Sequence, residues 1–583
     1  MPDDRAAPHA DATPSVKADK AGALTSQSQP WLKNYQTNTD WAMPLEPQPL
    51  YELIHATAQK IPDNTAIDFL GKTMTYRELE QAVLEVAAGL QGRGLKKGDR
   101  VGLLLPNTPY YVIMHYAILR AGGIVVNINP LYAEREIANL VRDSGLDMLA
   151  TVDLAALYDK ITPLFDEGLK KIIVCPFTKV LPFPKNILFK WVKGKELARV
   201  PRDNRHLWFD DLRQAGGKPA PVAINPVDDI AVLQYTGGTT GIPKGAMLTH
   251  ANLHVNCQQA VAWFHDARFG HEVMMGVLPY FHVFAMTASM NLGICFGAKL
   301  VLMPRFELVD CLKALQKHKV TLFPAVPAIY TAINNAPELK NFDLSTIRLC
   351  ISGGAPLPLE VKQQFEKATG CTLEEGYGLT ESSPVACMNP LDGSSKAGSI
   401  GLPVPGTSID IISLEDRKTQ MPLGEVGEIC ISGPQIMKGY WRREDATEET
   451  LFDGRLYTAD VGYMDEQGYT FIVDRLKDMI LVNGYNVYPR NIEEAIYLHD
   501  AVEECVVAGI IDPKRGEMPK AWIKLKHGAS LDKDGLKDFL GDKLSPMEMP
   551  RSVEFRDEPL PKTLIGKLSR KDLLDQEAAN KSA

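Results

Sequence analysis

Apolar and polar positions follow a repeating order of strand-like and helix-like segments along most of the chain. RVGLLLPN is a short apolar run that ends in a turn, and PYYVIMHYAILRAGG has apolar residues at helical spacing until two glycines stop it. A second strand pattern, GGIVVNINP, and a second helix pattern, AEREIANLVRDSG, come next. Strands that alternate with helices predict a mainly parallel sheet that helices cover on both faces.

The pattern returns in four further segments that predict strands, KKIIVCP, DIAVLQYT, HKVTLFPAVP and IRLCISGG. After about residue 395 the pieces SIGLPVPGTSIDIISLED, GEVGEICISGPQIM and GYTFIVD are β-rich and separated by turn residues, which predicts a small antiparallel sheet or barrel. The rest of the chain predicts helix, strand, strand, helix and strand, a compact α+β domain of about a hundred residues. We place the boundary in DRLKD, so that residues 46–474 form one domain and residues 475–583 another.

Three segments need a separate interpretation. Residues 1–45 are rich in Ala, Asp, Pro, Ser and Thr, lack the features of a signal peptide, and predict a disordered tail. Residues 276–298 carry no charged side chain, but their proline, asparagine and glycines favour a buried segment over a membrane span. Residues 177–202 combine seven Lys or Arg with apolar anchors, which fits either an anionic membrane surface or an ordinary surface excursion.

Composition narrows the function classes. The 583 residues are 45% hydrophobic and 23% charged, as in an ordinary globular protein, and the net charge of −9 argues against general nucleic-acid binding. Nine cysteines are scattered and never form a C-x-x-C pair, so we expect reduced thiols in a cytoplasmic protein and neither a disulfide framework nor a zinc site.

Residues 235–245, YTGGTTGIPKG, are the first candidate site. Their glycines let successive N–H groups turn inward around an anion, the threonine hydroxyls add donors, and Lys244 supplies the counter-charge. The stretch does not match the Walker pattern G-x-x-x-x-G-K-[ST]. Taken alone it predicts phosphate binding, with an empty glycine-rich hairpin as the alternative.

Four more stretches carry candidate chemistry. In EEGYGLTESS, Tyr377 can stack on a base and Glu381 offers a hard oxygen ligand for Mg²⁺, although an exposed turn would look the same. ISGGAPLP ends a strand in paired glycines, where a sheet often binds nucleotides. Asp460 and Arg475 could bind ribose hydroxyls, and Lys567 lies in a Gly-Lys turn near the chain end, where a solvated charge is the plain alternative.

Together these stretches resemble the adenylate-forming superfamily of acyl-CoA synthetases, luciferases and peptide-synthetase adenylation domains. The motifs occur in the family's order and the resemblance covers about residues 50–575. LQYTGGTTGIPKGAMLTHANL, GPQIMKGYWRREDAT and DRLKDMILVNGYNVYP are similar to bacterial long-chain fatty acyl-CoA synthetases. The resemblance implies an α/β fold: a large N-terminal domain of two mainly parallel α/β subdomains plus a small β-barrel, and a mobile C-terminal α+β domain.

The resemblance also implies residue roles. The β- and γ-phosphates of ATP would be held by Tyr235, Thr236, Gly237, Gly238, Thr239, Thr240, Gly241 and Lys244. Thr380 and Glu381 would hold the α-phosphate and Mg²⁺. Adenine would be bordered by Gly353, Gly354, Ala355, Pro356, Gly376, Tyr377 and Gly378, and the ribose would be bound by Asp460 and Arg475. In place of the family's usual glycine, Ala459 precedes the ribose aspartate, which should be tolerated if the backbone there is extended.

Lys567 corresponds to the family's adenylation lysine and Lys477 to the hinge about which the C-terminal domain pivots. After the pivot the region around Gly484 would form the CoA tunnel. His282 would lie beside the acyl carboxylate, unless it is a satisfied core histidine. The tunnel-lining positions are mostly apolar and leave room for a long alkyl chain: Val283, Phe284, Met286 and Thr287.

The expected reaction uses ATP, Mg²⁺ and coenzyme A. Because a carboxylate would have to expel oxide, it first attacks the α-phosphorus, and the AMP of the acyl-adenylate then leaves when CoA attacks. The alternatives are an adenylating ligase for medium-chain or aromatic acids or for an acyl-carrier acceptor, and a catalytically silent fatty-acid-binding protein. A homodimer and a peripheral membrane contact through residues 177–202 are left open.

Overall fold

The computed structural model describes residues 29–215, 217–236, 243–482, 485–512, 516–562 and 568–582. Its helices are α1 (Glu52–Lys60), α2 (Tyr76–Gly92), α3 (Pro109–Arg120), α4 (Glu134–Ser144), α5 (Ala155–Ile161), α6 (Phe177–Val180), α7 (Lys185–Val192), α8 (Phe209–Ala215), α9 (His250–Trp263), α10 (Val283–Ala285), α11 (Leu292–Cys295), α12 (Leu308–His318), α13 (Pro327–Asn334), α14 (Leu359–Thr369), α15 (Glu444–Thr450), α16 (Pro489–Tyr497), α17 (Lys533–Leu540) and α18 (Arg570–Ser582).

The strands form five sheets. They are β1 (Thr65–Phe69), β2 (Lys72–Thr75), β3 (Arg100–Leu104), β4 (Ile124–Asn127), β5 (Met148–Val152), β6 (Lys171–Cys175), β7 (His206–Trp208), β8 (Ile230–Thr236), β9 (Lys244–Thr249), β10 (Val273–Gly276), β11 (Lys299–Leu302), β12 (Leu349–Ser352), β13 (Thr372–Gly378), β14 (Val385–Met388), β15 (Leu402–Pro403), β16 (Ser408–Ile412), β17 (Gly427–Ser432), β18 (Leu451–Phe452), β19 (Arg455–Met464), β20 (Thr470–Arg475), β21 (Ile480–Val482), β22 (Tyr485–Val487), β23 (Val502–Asp512), β24 (Gly516–Leu525) and β25 (Ser552–Arg556).

The first large sheet has the strand order β7-β6-β5-β3-β4-β8-β9. Its strands are parallel from β7 to β8, and β9 returns antiparallel to β8 as a hairpin. Strands β3, β4 and β5 are almost wholly buried, as expected for parallel strands between helical layers.

The second α/β unit contains two four-stranded sheets, β10-β11-β1-β2 and β12-β13-β14-β15. The segment HKVTLFPAVP lies between them, with Leu322 bridging to both Met274 and Leu349 and Ala325 bridging to Ser352. The prediction of a regular strand here is wrong. Helix α12 extends to His318, and the residues after it form only isolated β-bridges. Pro324 and Pro327 lack the N–H groups that a continuous ladder needs.

The β-rich region forms the sheet β16-β17-β19-β18, with β20 paired to β19. After it, β22-β21-β24-β23 with β25 beside β24 makes the C-terminal sheet, which has its own apolar core against α16 and α17. The predicted fold class is confirmed, with two mainly parallel α/β units, a small antiparallel β unit and a separate α+β unit.

The N-terminal segment, residues 29–45, packs against distant parts of the chain. Trp31 is 2% exposed, Tyr35 donates to the Pro403 carbonyl oxygen over 2.6 Å, and Trp41 Nε1 donates to the Thr407 carbonyl oxygen over 2.7 Å. The predicted disordered tail therefore has to be shortened, because these aromatic side chains pack against residues of the folded core; residues 1–28 lie outside the described residues.

Residues 276–298 fold as short pieces in the core. The helices α10 and α11 flank a π-helix at Met286–Asn291, and every residue of that π-helix is buried. In the described part of the chain no helix is both long and apolar enough to cross a bilayer. This agrees with the preference for a buried segment.

Candidate active site

One cavity of about 560 Å³ joins the two α/β units, the β unit and the hinge segment. Its polar end is lined by Thr236, Lys244, Thr380, Glu381, Tyr377, Ala459, Arg475 and Lys477. Its apolar arm is lined by Ala260, Phe264, Val283, Phe284, Ala288, Leu292, Ile351, Val385 and Met388. The arrangement can bind a charged, ring-containing molecule at one end and a hydrocarbon group at the other.

The two ends of the glycine-rich stretch lie on the paired strands β8 and β9. Thr236 pairs with Lys244 in the antiparallel register, so both residues stand at the base of the loop and face the cavity. Tyr235 points the other way and donates its hydroxyl to Asp143 over 2.6 Å, because successive strand residues face opposite sides. Gly237, Gly238, Thr239, Thr240 and Gly241 lie outside the described residues.

Glu381 lies in the cavity on a short 3₁₀ turn, Thr380–Ser382. Its Oε1 accepts the Tyr440 hydroxyl over 2.6 Å, and the Lys244 ammonium lies 5.2 Å from the centroid of the Tyr440 ring. Burial, with the Glu381 charge beside it, raises the pKa of Tyr440, so the phenol stays protonated as a donor. Tyr440 thus has a cation over the face of its ring and a carboxylate at its hydroxyl group.

Three side chains form a second polar cluster. Asp460 and Arg475 are direct partners across β19 and β20, with Arg475 Nε 2.9 Å from Asp460 Oδ1. Tyr377 donates its hydroxyl to Asp460 Oδ2 over 2.6 Å. Burial, followed by the charge of Asp460, raises the pKa of Tyr377. The cluster therefore fixes both carboxylate oxygens of Asp460.

The glycines on either side of Tyr377 differ in how much space a side chain would have. A Cβ on Gly378 would lie 1.7 Å from the Pro384 carbonyl oxygen, and one on Gly376 would lie 3.2 Å from Ile351 Cγ2. Gly353 lies against the Phe284 ring, and Gly354 has a φ of +81°. Gly353, Gly354, Gly376 and Gly378 line the cavity, and Ala355 and Pro356 continue the chain from its rim.

Ala459 has a φ of +58°, so its backbone is left-handed. The extended backbone on which we expected a methyl to be tolerated is therefore absent. The conformation is held at both ends, since the Ala459 N–H donates to Glu428 Oε1 over 2.9 Å and its carbonyl accepts from Leu476 N over 2.8 Å. A left-handed residue explains why glycine is usual at this position.

The predicted acyl-site residues fall into two groups, those that line the cavity and those that do not. His282, Val283 and Phe284 line the cavity, whereas Met286 and Thr287 are buried behind it. Met286 Sδ accepts from Asn127, and the Thr287 hydroxyl donates to the Ser383 carbonyl oxygen over 2.8 Å. Phe264, Leu292 and Met388 also line the cavity, and no local sequence pattern indicates them because they come from separate elements.

Lys477 borders the polar end of the cavity, and burial lowers its pKa. Lys567 and Gly484 lie outside the described residues, so their roles stay predictions. Tyr440 is a site residue that we did not single out, although it lies in the quoted stretch GPQIMKGYWRREDAT. An aromatic residue in such a stretch does not by itself indicate a partner 59 residues away in the chain.

Comparison with known proteins supports the same picture. The family model described as "AMP-binding enzyme" matches residues 54–441, and "AMP-binding enzyme C-terminal domain" matches residues 491–567. A long-chain-fatty-acid–CoA ligase of Bacillus subtilis is 45% identical over 95% of this chain and 99% of its own length. A probable 4-coumarate–CoA ligase 1 of Dictyostelium discoideum is 33% identical over 91% of this chain and 95% of its own length.

Solved structures of similar proteins support the same picture. ATP-bound MatB from Rhodopseudomonas palustris is 28% identical, covers 91% of this chain and all of its own, and superimposes with a TM-score of 0.79. The anthranilate CoA ligase AuaEII in complex with anthranoyl-AMP is 26% identical, with coverages of 93% and 99% and a TM-score of 0.81. With the family model matching more than half of its length, the chain belongs to the AMP-binding, adenylate-forming enzymes.

Proposed function

We propose that this chain is a long-chain fatty acid–CoA ligase that forms an acyl-adenylate from ATP and then transfers the acyl group to CoA. The observation that carries the proposal is the single cavity with Lys244 and Glu381 at one end and an apolar arm reaching Phe264 at the other. A nucleotide and a hydrocarbon chain can therefore meet within one site.

The polar residues divide the binding of ATP. Lys244, with the loop that it closes, holds the β- and γ-phosphates, while Thr380 holds the α-phosphate. Asp460 accepts from the ribose hydroxyls and Arg475 holds Asp460 in place through their 2.9 Å ion pair. Tyr377, together with Gly353, Gly354, Gly376 and Gly378, borders the adenine.

Glu381 suits a magnesium ion that is bound mainly through phosphate. In the described residues no group of three His, Cys, Asp or Glu side chains is arranged to hold a metal, and Glu381 is one of the carboxylates that line the cavity. Mg²⁺ characteristically binds one or two carboxylates plus substrate phosphates. When bound, the ion neutralises the charge of the departing pyrophosphate.

Adenylation requires the two anionic reactants to approach each other. Lys567 would draw the acyl carboxylate and the α-phosphate together and spread the negative charge of the transition state. His282 would orient the carboxylate at the junction of the polar end and the apolar arm. For the second half-reaction the C-terminal domain pivots at Lys477, removing Lys567 and bringing the Gly484 region to the site.

Release of AMP in a chain-length series tests the proposal. With ATP, Mg²⁺ and CoA, we expect palmitate to give AMP and acyl-CoA, and 4-coumarate or benzoate to give little of either. Preference for an aromatic acid, release of ADP, or binding of palmitate without turnover would each contradict the proposed function.

The role of Lys567 has its own test. Lys567→Ala should abolish pyrophosphate exchange but leave thioester formation from preformed acyl-adenylate near the wild-type rate. The matched control is Lys562→Ala, since Lys562 pairs with Glu504 and lies outside the cavity lining. Exchange by Lys567→Ala at the wild-type rate would remove this residue from the mechanism.

We also propose that residues 177–202 contact an anionic membrane surface. Phe177 and Leu181 anchor the segment in the core, and Phe177 packs against Phe189 with ring centroids 5.3 Å apart. Helix α7 and its flanks then present an apolar face to solvent, with Phe183 79% and Trp191 86% exposed: Phe183, Ile187, Leu188, Trp191 and Val192. Basic residues around this face suit anionic headgroups.

Vesicle sedimentation distinguishes the membrane from plain solvent exposure. Leu188→Asp should weaken pelleting with phosphatidylglycerol vesicles several-fold, and high salt should weaken wild-type pelleting. Leu359→Asp is the matched control, because Leu359 is similarly exposed at the start of α14. Equal pelleting of both variants and the wild type would exclude the contact.

A further inference from the structure

An ion-pair cluster surrounds the boundary segment DRLKD. Arg570, at the start of α18, donates through Nη2 to both oxygens of Glu493 (2.8 and 2.9 Å) and through Nη1 to Asp478 Oδ2 (3.0 Å). Its Nη1 is also 3.6 Å from Asp474 Oδ1. One guanidinium therefore contacts two acids of the boundary segment and one acid of α16.

The hinge position divides this cluster into two unequal parts. Asp474 precedes Lys477 and belongs to β20, which is paired to β19 of the N-terminal unit. Asp478, Glu493 and Arg570 all follow Lys477. A rotation about Lys477 carries these three residues together, so the contacts of Asp474 are the ones that must break.

Asp474 has a second contact across the hinge. Its Oδ2 accepts the backbone N–H of Arg490 over 2.7 Å, in the first turn of α16, where that N–H has no partner within the helix. The carboxylate is buried, and burial raises its pKa despite the nearby Arg570 guanidinium. A buried acid that accepts from a helix N-terminus and faces a guanidinium is costly to separate from them.

The surface on either side of Gly484 is exposed in this state. Leu481 on β21 and Tyr485 on β22 are 50% and 63% exposed. The face that would close on the cavity in the second half-reaction is therefore not docked. The contacts of Asp474 stabilise the C-terminal domain in this undocked arrangement.

We propose that Asp474 is a positioning residue, a latch whose contacts with Arg490 and Arg570 hold the C-terminal domain undocked and must open before CoA reacts. The inference rests on the proposed pivot at Lys477. Asp478 is the natural comparison, since it also contacts Arg570 but moves with it.

The two half-reactions are measured separately, as pyrophosphate exchange and as thioester formation from preformed acyl-adenylate. Asp474→Asn should raise the ratio of thioester formation to exchange by about tenfold, the effect of losing one hydrogen bond to a charged group. Asp478→Asn makes the same charge change and should leave the ratio within twofold of the wild type. An unchanged ratio in Asp474→Asn, or an equal change in both variants, would overturn the latch.

A measurement on the wild type covers the case in which Asp474→Asn does not fold. Hydrogen exchange in the peptide that contains Arg490 should accelerate when CoA and a non-hydrolysable acyl-adenylate are added together. Unchanged exchange would overturn the latch even with a fully active enzyme. Failure of the proposed function looks different, because the wild type would then carry out neither half-reaction.

Discussion

The left-handed backbone at Ala459 leads to a prediction that runs against the usual effect of glycine. A non-glycine residue in this conformation costs about 1–2 kcal/mol, and Ala459 is held at φ +58° by hydrogen bonds at both its N–H and its carbonyl. Ala459→Gly removes that cost. The greater conformational freedom of glycine in the unfolded chain, however, destabilises the folded state by about 0.4–1 kcal/mol. We expect a net stabilisation of about 0.5–1 kcal/mol.

Thermal unfolding followed by circular dichroism is the assay, and Tm should rise by roughly 1–3 °C. The matched control is Ala150→Gly, in the buried regular strand β5, where the same substitution should lower stability by about 1 kcal/mol or more. The KM for ATP should stay within twofold, because the contacts of Asp460 are unchanged. If both variants lower Tm alike, the argument from backbone strain is refuted.

Three further predictions concern the cavity and strand β13 beside it. Phe264 lines the apolar arm and packs edge-on against Phe296 with ring centroids 6.0 Å apart. Phe264→Ala should therefore shift kcat/KM toward longer acids, by about fourfold for each additional methylene that the arm admits. An unchanged chain-length profile would place the end of the arm elsewhere. Gly378→Ala should unfold or inactivate the protein, whereas Gly376→Ala should be much milder, and comparison of their soluble yields and Tm values checks the clash with Pro384. Glu375 lies near Arg490 and the acids Glu494 and Glu374, and burial raises the pKa of its carboxyl group to about 7. The folded state therefore keeps a proton that the unfolded state has already released. Stability from this group is lost as pH rises through 7, and Tm should fall more between pH 6 and pH 8 in the wild type than in Glu375→Gln; parallel curves would contradict the assignment.

The architecture was largely predictable because it depends on periodicity. Apolar runs such as RVGLLLPN and the helical pattern after it mark β3 and α3 directly. The form of HKVTLFPAVP was not predictable from apolarity alone, since its two prolines limit it to isolated bridges. The N-terminal segment was misjudged because a polar composition hides the effect of three buried or half-buried aromatic residues, Trp31, Tyr35 and Trp41.

The site was predictable as a set of motifs but not as a geometry. Motif order located Glu381, Asp460 and Arg475, yet it assigned Tyr235 to the phosphates although its side chain faces Asp143. The φ of Ala459 and the contact of Tyr440 with Glu381 depend on elements distant in sequence. Such features follow from tertiary packing, which a local pattern does not encode.

The packing of the N-terminal segment also bears on synthesis at the ribosome. Asn34 donates to the carbonyl oxygen of Gln467, a partner 433 residues later in the chain. At about 5–20 residues per second, roughly 20 to 90 s pass between the translation of the two residues. The carbonyl partners of Tyr35 and Trp41 are 368 and 366 residues later in the chain, so these aromatic side chains lack those native contacts, and are open to chaperones, for most of that interval.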